Sequence, residues 1–159
     1  LEDVLHTLNH AGFPLQLALV AGHNEDLYQR FQETEWHLPT RIYGFVDDMP
    51  DLMHASDIIL CKAGGLIVSE ALAVGLPLLL VDVLPGQEAG NAAFVVEGGA
   101  GVLIEDQPEV LETLTDWLAD GGVRLRERAD RAAKLGRPQA ALEIAARIWG
   151  LAGRQDQQD

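Results

Sequence analysis

The chain has 159 residues, 48% hydrophobic and 23% charged, the make-up of one ordinary globular domain and not of a disordered, collagen-like or coiled-coil chain. Its formal net charge of −14 speaks against direct nucleic-acid binding, which needs clustered Lys and Arg, and against this segment being the main contact with an anionic membrane. No apolar run approaches the roughly 18–20 residues of a membrane-spanning helix, and a lone cysteine, Cys61, supports neither a disulfide framework nor a zinc site, so a cytoplasmic compartment is expected.

Along the chain, strand-length apolar runs alternate with helix-period segments, the pattern of a parallel α/β sheet. Val4 to Ala11 reads as a short helix stopped at Gly12, and Pro14 to Ala21 as a strand covered on both faces. After the loop Gly22-His23-Asn24 comes a helix from Glu25 to Glu35, acidic in its first turn, and then a strand from Thr40 to Phe45. Asp47 or Asp48 can cap a short helix that tolerates Pro50 in its first turn. Strands follow at Asp57–Cys61, Leu76–Asp82 and Gly101–Ile104, separated by helices over Leu66–Val74 and Gln87–Glu97. Beyond Pro108 the pattern is helical only: Glu109–Ala119, with Val110, Leu111, Leu114, Trp117 and Leu118 at helical spacing, then about Val123–Leu135 and Pro138–Leu151. One domain is expected over residues 1–152, with a polar tail over 153–159. The chain opens on Leu directly into helix-like sequence, which reads as a piece of a longer protein.

Three strand-end segments carry the candidate chemistry. In Cys61-Lys62-Ala63-Gly64-Gly65-Leu66-Ile67 a strand ends, two glycines turn and a helix begins. The first N–H groups of such a helix have no internal partner and face a partial positive charge, so they suit a phosphate, and glycine lets it come close. Glu70, about one and a half turns in, could accept hydrogen bonds from two vicinal hydroxyls; an ordinary βα turn with a surface Glu fits the local pattern equally well. Leu84-Pro85-Gly86-Gln87-Glu88-Ala89-Gly90-Asn91 lies at the next strand end, where open α/β sheets bind ligands, and Gln87, Glu88 and Asn91 offer amides and a carboxylate to sugar hydroxyls or simply start a helix. Phe45, in Gly44-Phe45-Val46, could wall a flat base or belong to the core; His23 could line a cleft or sit in a solvated loop. The chain carries no P-loop, G-x-G-x-x-G, G-x-S-x-G, D-x-D or metal-spaced His cluster.

Taken in order, these segments resemble the C-terminal half of monogalactosyldiacylglycerol synthases, glycosyltransferases of family 28 with the GT-B fold. The likeness is carried by Val20-Ala21-Gly22-His23-Asn24, Gly44-Phe45-Val46, Lys62-Ala63-Gly64-Gly65, Ser69-Glu70-Ala71-Leu72, Gly75-Leu76-Pro77, Gly86-Gln87-Glu88-Ala89-Gly90-Asn91, Val95 to Val102 and the late segment around Pro138-Gln139-Ala140. The G-Q-E-x-G-N segment is the most specific of these. Gly65-Leu66 stands where galactolipid synthases often have Pro-Gly.

The resemblance implies a Rossmann-like parallel sheet with flanking helices and a helical C-terminal segment. It also implies a UDP-sugar as substrate, with no cofactor and no metal. The Phe45 backbone would flank the uracil, Gly64, Gly65, Leu66 and Ile67 would present N–H groups to the diphosphate, Glu70 would hold the ribose, and Gln87, Glu88 and Asn91 would bind the sugar. The parent enzyme would transfer a hexose, galactose, to a diacylglycerol-type lipid with inversion, as a peripheral membrane protein. In the family this half opens with a strand and a glycine-rich loop, and the lipid acceptor and catalytic base belong to an N-terminal domain. The resemblance therefore places those elements before Leu1, assigns no catalytic residue within this chain, and leaves a strand edge that could pair with a second chain. Two other readings stand beside it: an isomerase like UDP-N-acetylglucosamine 2-epimerase, which expects an Arg-containing segment where Gly86 to Asn91 stands, and a non-catalytic module that binds nucleotide or a partner.

Overall fold

The computed structural model describes residues 1–155, and side-chain surroundings for residues 1–152. Helices and parallel strands alternate as the sequence pattern predicts: α1 Glu2–His10, β1 Leu17–Val20, α2 Glu25–Glu33, β2 Thr40–Tyr43, α3 Met49–His54, β3 Ile59–Cys61, α4 Gly65–Ala73, β4 Leu78–Leu80, α5 Ala89–Glu97, β5 Gly101–Leu103, α6 Gln107–Leu135 and α7 Ala140–Gln155. All strand pairs are parallel. The architecture is the expected Rossmann-like sheet with flanking helices and a helical C-terminal segment. The strands are shorter than the apolar runs that announce them. β1 begins at Leu17 and not at Pro14, because Pro14 has no N–H and the Leu15 N–H turns back to the Phe13 carbonyl at 2.8 Å, so the ladder starts only where Leu17 donates to Pro39.

The sheet comes in two pieces, β1 beside β2 and the three strands β3-β4-β5. β4 is the central strand of the larger piece, and Leu78, Leu79 and Leu80 are almost completely buried because helices cover both of its faces. Period-2 alternation divides its side chains. Leu78 and Leu80 join Val68, Ala71 and Leu72 of α4 and Val95 of α5, while Leu79 and Val81 join Val4 and Leu8 of α1 and Val110, Leu114 and Trp117 of α6. A third cluster on β1 packs Leu19 and Ala21 against Leu5 of α1 and Phe31 of α2. Asn9, the one buried polar side chain among the described residues, donates to the Glu35 carbonyl at 2.8 Å and accepts from the His37 N–H at 2.7 Å, which fixes the loop entering β2.

α6 is helical on either side of a break at Ala119 to Gly122, where Asp120, Gly121 and Gly122 all take positive φ, 51°, 70° and 75°. That break matches the two separate helices predicted from the sequence. It also explains a packing feature: the first half of α6 contributes Trp117 to the α1 face, whereas Ala132 and Leu135 of the second half reach the α4 and α5 face. Gly121 and Gly122 let the chain change direction without a Cβ penalty. α7 continues through Gln155, so the first part of the segment expected to be a polar tail is helical, and 156–159 lie outside the described residues.

Candidate functional site

Because the strands within each piece of the sheet are parallel, the loops that follow them gather along its carboxyl edge. After β1 the Gly22 N–H extends the ladder to the Gly44 carbonyl, 3.1 Å away, and this brings the β1 and β2 loops together. His23 then stacks on Phe45, ring centroids 4.2 Å apart and planes 14° from parallel. Phe45 is 59% exposed, so it is no core residue; it forms a flat aromatic shelf with His23. The sequence singled out both residues without linking them, since a stack between two successive βα loops depends on the strand pairing.

After β3 the chain passes the fully buried Ala63 and enters α4 with Gly64 as N-cap. No side chain caps this helix and its first turn carries no acidic residue, so the N–H groups of Gly65, Leu66 and Ile67 are left to an external acceptor. The dipole of α4 adds partial positive charge at that end. A Cβ on Gly64 would sit 3.6 Å from Ile67 Cγ2 and 3.9 Å from Glu88 Oε1, and one on Gly65 3.6 Å from Asn91 Nδ2. These are ordinary contacts, so the glycines are not demanded by packing. What they provide is an uncovered backbone.

The same contacts show that the Gln87–Asn91 segment closes over the glycine turn. Asn91 Nδ2 donates to the Ala63 carbonyl at 2.9 Å and holds the β3–α4 turn from α5. Glu88 Oε2 accepts from the Leu84 N–H at 2.9 Å, which closes the loop after β4, while Oε1 faces Gly64. Burial, and then the Glu88 carboxylate, push the Cys61 thiol up to about 12, so it is a neutral thiol at the floor of this region. Asp82, just past β4, adopts a left-handed backbone with φ 49° where the loop turns. Gln87 is exposed, Glu70 is half-buried on α4, and Leu66 is 75% exposed at the rim. Gly64, Gly65, Glu88 and Asn91 therefore form one contiguous cluster, with Ile67 against it. Phe45 belongs to the β2 loop, on the other piece of the sheet. Among the described residues no group of three or more His, Cys, Asp or Glu could hold a metal ion. The cluster offers free backbone N–H groups, a carboxylate and an amide side by side.

Comparison with known proteins identifies the family and the fold. The model of the glycosyltransferase family 28 C-terminal domain matches residues 1–144. Monogalactosyldiacylglycerol synthase 3 of Arabidopsis thaliana is 36% identical over 155 residues, which is 98% of this chain and 33% of that protein. Monogalactosyldiacylglycerol synthase 2 of the same plant is 35% identical over 91% of this chain and 31% of its own length. The chain thus spans about a third of the curated relatives it matches. Among solved structures, MurG of Acinetobacter baumannii superposes with a TM-score of 0.68 at 24% identity, over 94% of this chain and 44% of that one. The spinosyn rhamnosyltransferase SpnG complexed with thymidine diphosphate gives 0.62 at 15% identity, over 91% and 40%. Both share the fold. The plant relatives are named chloroplastic, which overturns the cytoplasmic compartment expected from the single cysteine: reduced thiols are compatible with more than one compartment, and cysteine usage does not separate them. With the family model covering all but the last residues, the chain belongs to the glycosyltransferase family 28 C-terminal domains.

Proposed function

We propose that this chain is the donor-binding half of an inverting hexosyltransferase that moves galactose from a UDP-sugar to a diacylglycerol-type lipid. The observation that carries the reading is the uncapped N-terminus of α4, with Glu88 and Asn91 drawn up beside its glycines. The N–H groups of Gly64, Gly65, Leu66 and Ile67 bind the diphosphate and, with the helix dipole, stabilise it as it departs. Glu70 accepts from the ribose hydroxyls. The His23–Phe45 stack offers the nucleobase an aromatic shelf, and the Phe45 backbone flanks the base. Gln87, Glu88 and the Asn91 carbonyl oxygen take the sugar hydroxyls, the Asn91 amide N–H being already engaged by Ala63.

The names of the plant relatives support galactose and a diacylglycerol acceptor. The lipid and the catalytic base belong to a further domain of the parent protein, which meets the membrane peripherally. Family membership favours transfer over the isomerase reading. The test is titration with UDP, UDP-galactose and UDP-glucose, followed by amide NMR. The expected result is shifts concentrated at Gly64 to Ile67, with tighter binding of UDP-galactose than of UDP-glucose. Loss of one ribose-binding carboxylate in Glu70→Ala should weaken UDP about 10–100-fold, the worth of charged hydrogen bonds. Failure of UDP and of both UDP-sugars to bind the parent protein would sink the proposal.

A further inference from the structure

We propose that Asn91 is a positioning residue for the diphosphate: it engages the Ala63 carbonyl, so that α4 does not begin one residue earlier and consume an N–H group that the phosphates need. The inference rests on the donor-site reading for its ligand, and on the packing of α5 beside α4 for the rest. The Ala63 carbonyl needs a partner, because Ala63 is fully buried and an unpaired buried carbonyl is costly. The β3–β4 ladder does not supply one, since it closes with the Cys61 carbonyl, which accepts from Val81 at 3.0 Å. The helix does not supply one either. Its opening bond runs from the Val68 N–H to the Gly64 carbonyl at 3.0 Å. Among the described residues no backbone N–H reaches Ala63, whereas Asn91 Nδ2 donates to it at 2.9 Å.

Without Asn91, the local partners of that carbonyl are the N–H groups of Leu66 and Ile67. They stand three and four residues on, at the spacing of 3₁₀ and α-helical bonds. Both are among the donors that α4 leaves free at its start. A single torsion marks the present boundary. Gly64 has φ −64°, already helical, and only its ψ of 140° keeps it out of the helix. Glycine turns about ψ with little steric resistance, and each further bond favours a helix that is already nucleated. A Cβ-free Gly64 therefore lets α4 grow back by one residue whenever the Ala63 carbonyl is unclaimed, and that growth takes the Ile67 N–H away from a phosphate.

Asn91 is placed to prevent this. It is half-buried in the first turn of α5, and Ala92 and Val95 fix that helix in the same core cluster as Val68, Ala71 and Leu72 of α4. The hydrogen bond to Ala63 is therefore held from a neighbouring element that does not move with the turn. An amide also has the chemistry the place demands. It donates to the carbonyl and carries no charge, whereas a carboxylate could not donate and would repel a diphosphate. Residue 91 thus acts on the phosphates through the turn, by deciding where α4 begins.

The test compares Asn91→Ala and Asn91→Leu with the unaltered parent protein; leucine keeps the approximate shape of the side chain and removes its donor. UDP is the probe, because it carries the phosphates and no sugar. Calorimetric titration is expected to show UDP affinity about tenfold lower in both variants. Amide exchange of Ile67 is followed by NMR in the ligand-free protein with isotope-labelled isoleucine. It is expected to slow about tenfold or more in both, since that N–H becomes bonded. Unchanged UDP affinity in both variants overturns the proposal and confines Asn91 to the sugar. A loss of affinity with Ile67 exchanging as fast as before, or faster, overturns it too, because the turn has then loosened and has not joined the helix. Failure of the unaltered protein to bind UDP would overturn the donor-site reading instead. Exchange at Ile67 needs no ligand, so slower exchange in the variants would still uphold the control of the α4 start by Asn91, and unchanged exchange would end it.

Discussion

Cys61 shows how little of a single residue's chemistry is visible in its sequence neighbours. In the run Asp57 to Cys61 it reads as a small buried apolar group, and the structure leaves it half-buried with Glu88 brought near from the loop after β4. Burial, then the carboxylate, raise its pKa to about 12. The thiolate is the reactive species, so at pH 8 about one molecule in ten thousand is competent. Alkylation by iodoacetamide should therefore be slow and rise about tenfold per pH unit up to about pH 11, where a free cysteine near 8.5 levels off above pH 9. Glu88→Gln should speed the reaction at any given pH and leave most of the suppression, since burial is the larger cause. A rate that flattens by pH 9 would contradict this environment. The sign for stability follows: the folded protein resists ionisation that the unfolded chain undergoes, so the contribution is intact below about 8.5 and is lost as pH climbs towards 12. Asn9 is the opposite kind of case. Nothing in Leu8-Asn9-His10 marks it, because both of its partners lie more than twenty residues away, yet it is buried and fixes the approach to β2.

At the scale of elements, the alternation of apolar runs and helical periods is enough to place the five strands of the described residues and the helices between them. It overestimated strand lengths because hydrophobicity marks burial, whereas a strand ends where its ladder ends, as at Leu15. Two glycines test how local conformation and packing divide the cost of a methyl group. Gly121 has φ 70° and open space around it, so Gly121→Ala incurs only backbone strain, about 1 kcal/mol. A Cβ on Gly101 would lie 2.3 Å from the Leu78 carbonyl oxygen and 2.8 Å from Val95 Cγ1, inside the β4–β5 ladder. Backbone cannot step aside there, so Gly101→Ala should cost about 3 kcal/mol or more. Urea denaturation of the two variants gives the ranking directly. Equal losses would mean that β5 is free to shift away from β4.

For the whole molecule, the candidate site was more legible than the sheet that carries it. Parallel strands put every βα loop on one edge, so polar residues after successive strands could be grouped from sequence order alone, and Gly64, Gly65, Glu88 and Asn91 do meet. Strand order is a long-range property, and no local pattern reveals that the sheet parts between β1 and β3. Net charge is the other global property with a consequence for binding. A nucleoside diphosphate approaching this chain meets two opposed fields: the short-range positive end of α4 and the long-range repulsion of 14 excess negative charges. The first acts within about a helical turn and is weakly screened at contact; the second acts over the Debye length, about 30 Å at 0.01 M salt and about 8 Å at 0.15 M. Raising ionic strength over that range removes most of the repulsion and little of the attraction. UDP affinity should therefore increase with added NaCl, opposite to a site held by a surface cluster of Lys and Arg. Calorimetric titration at both ionic strengths decides it, and an affinity that falls with salt would place the phosphates against side-chain cations and not against the backbone of α4.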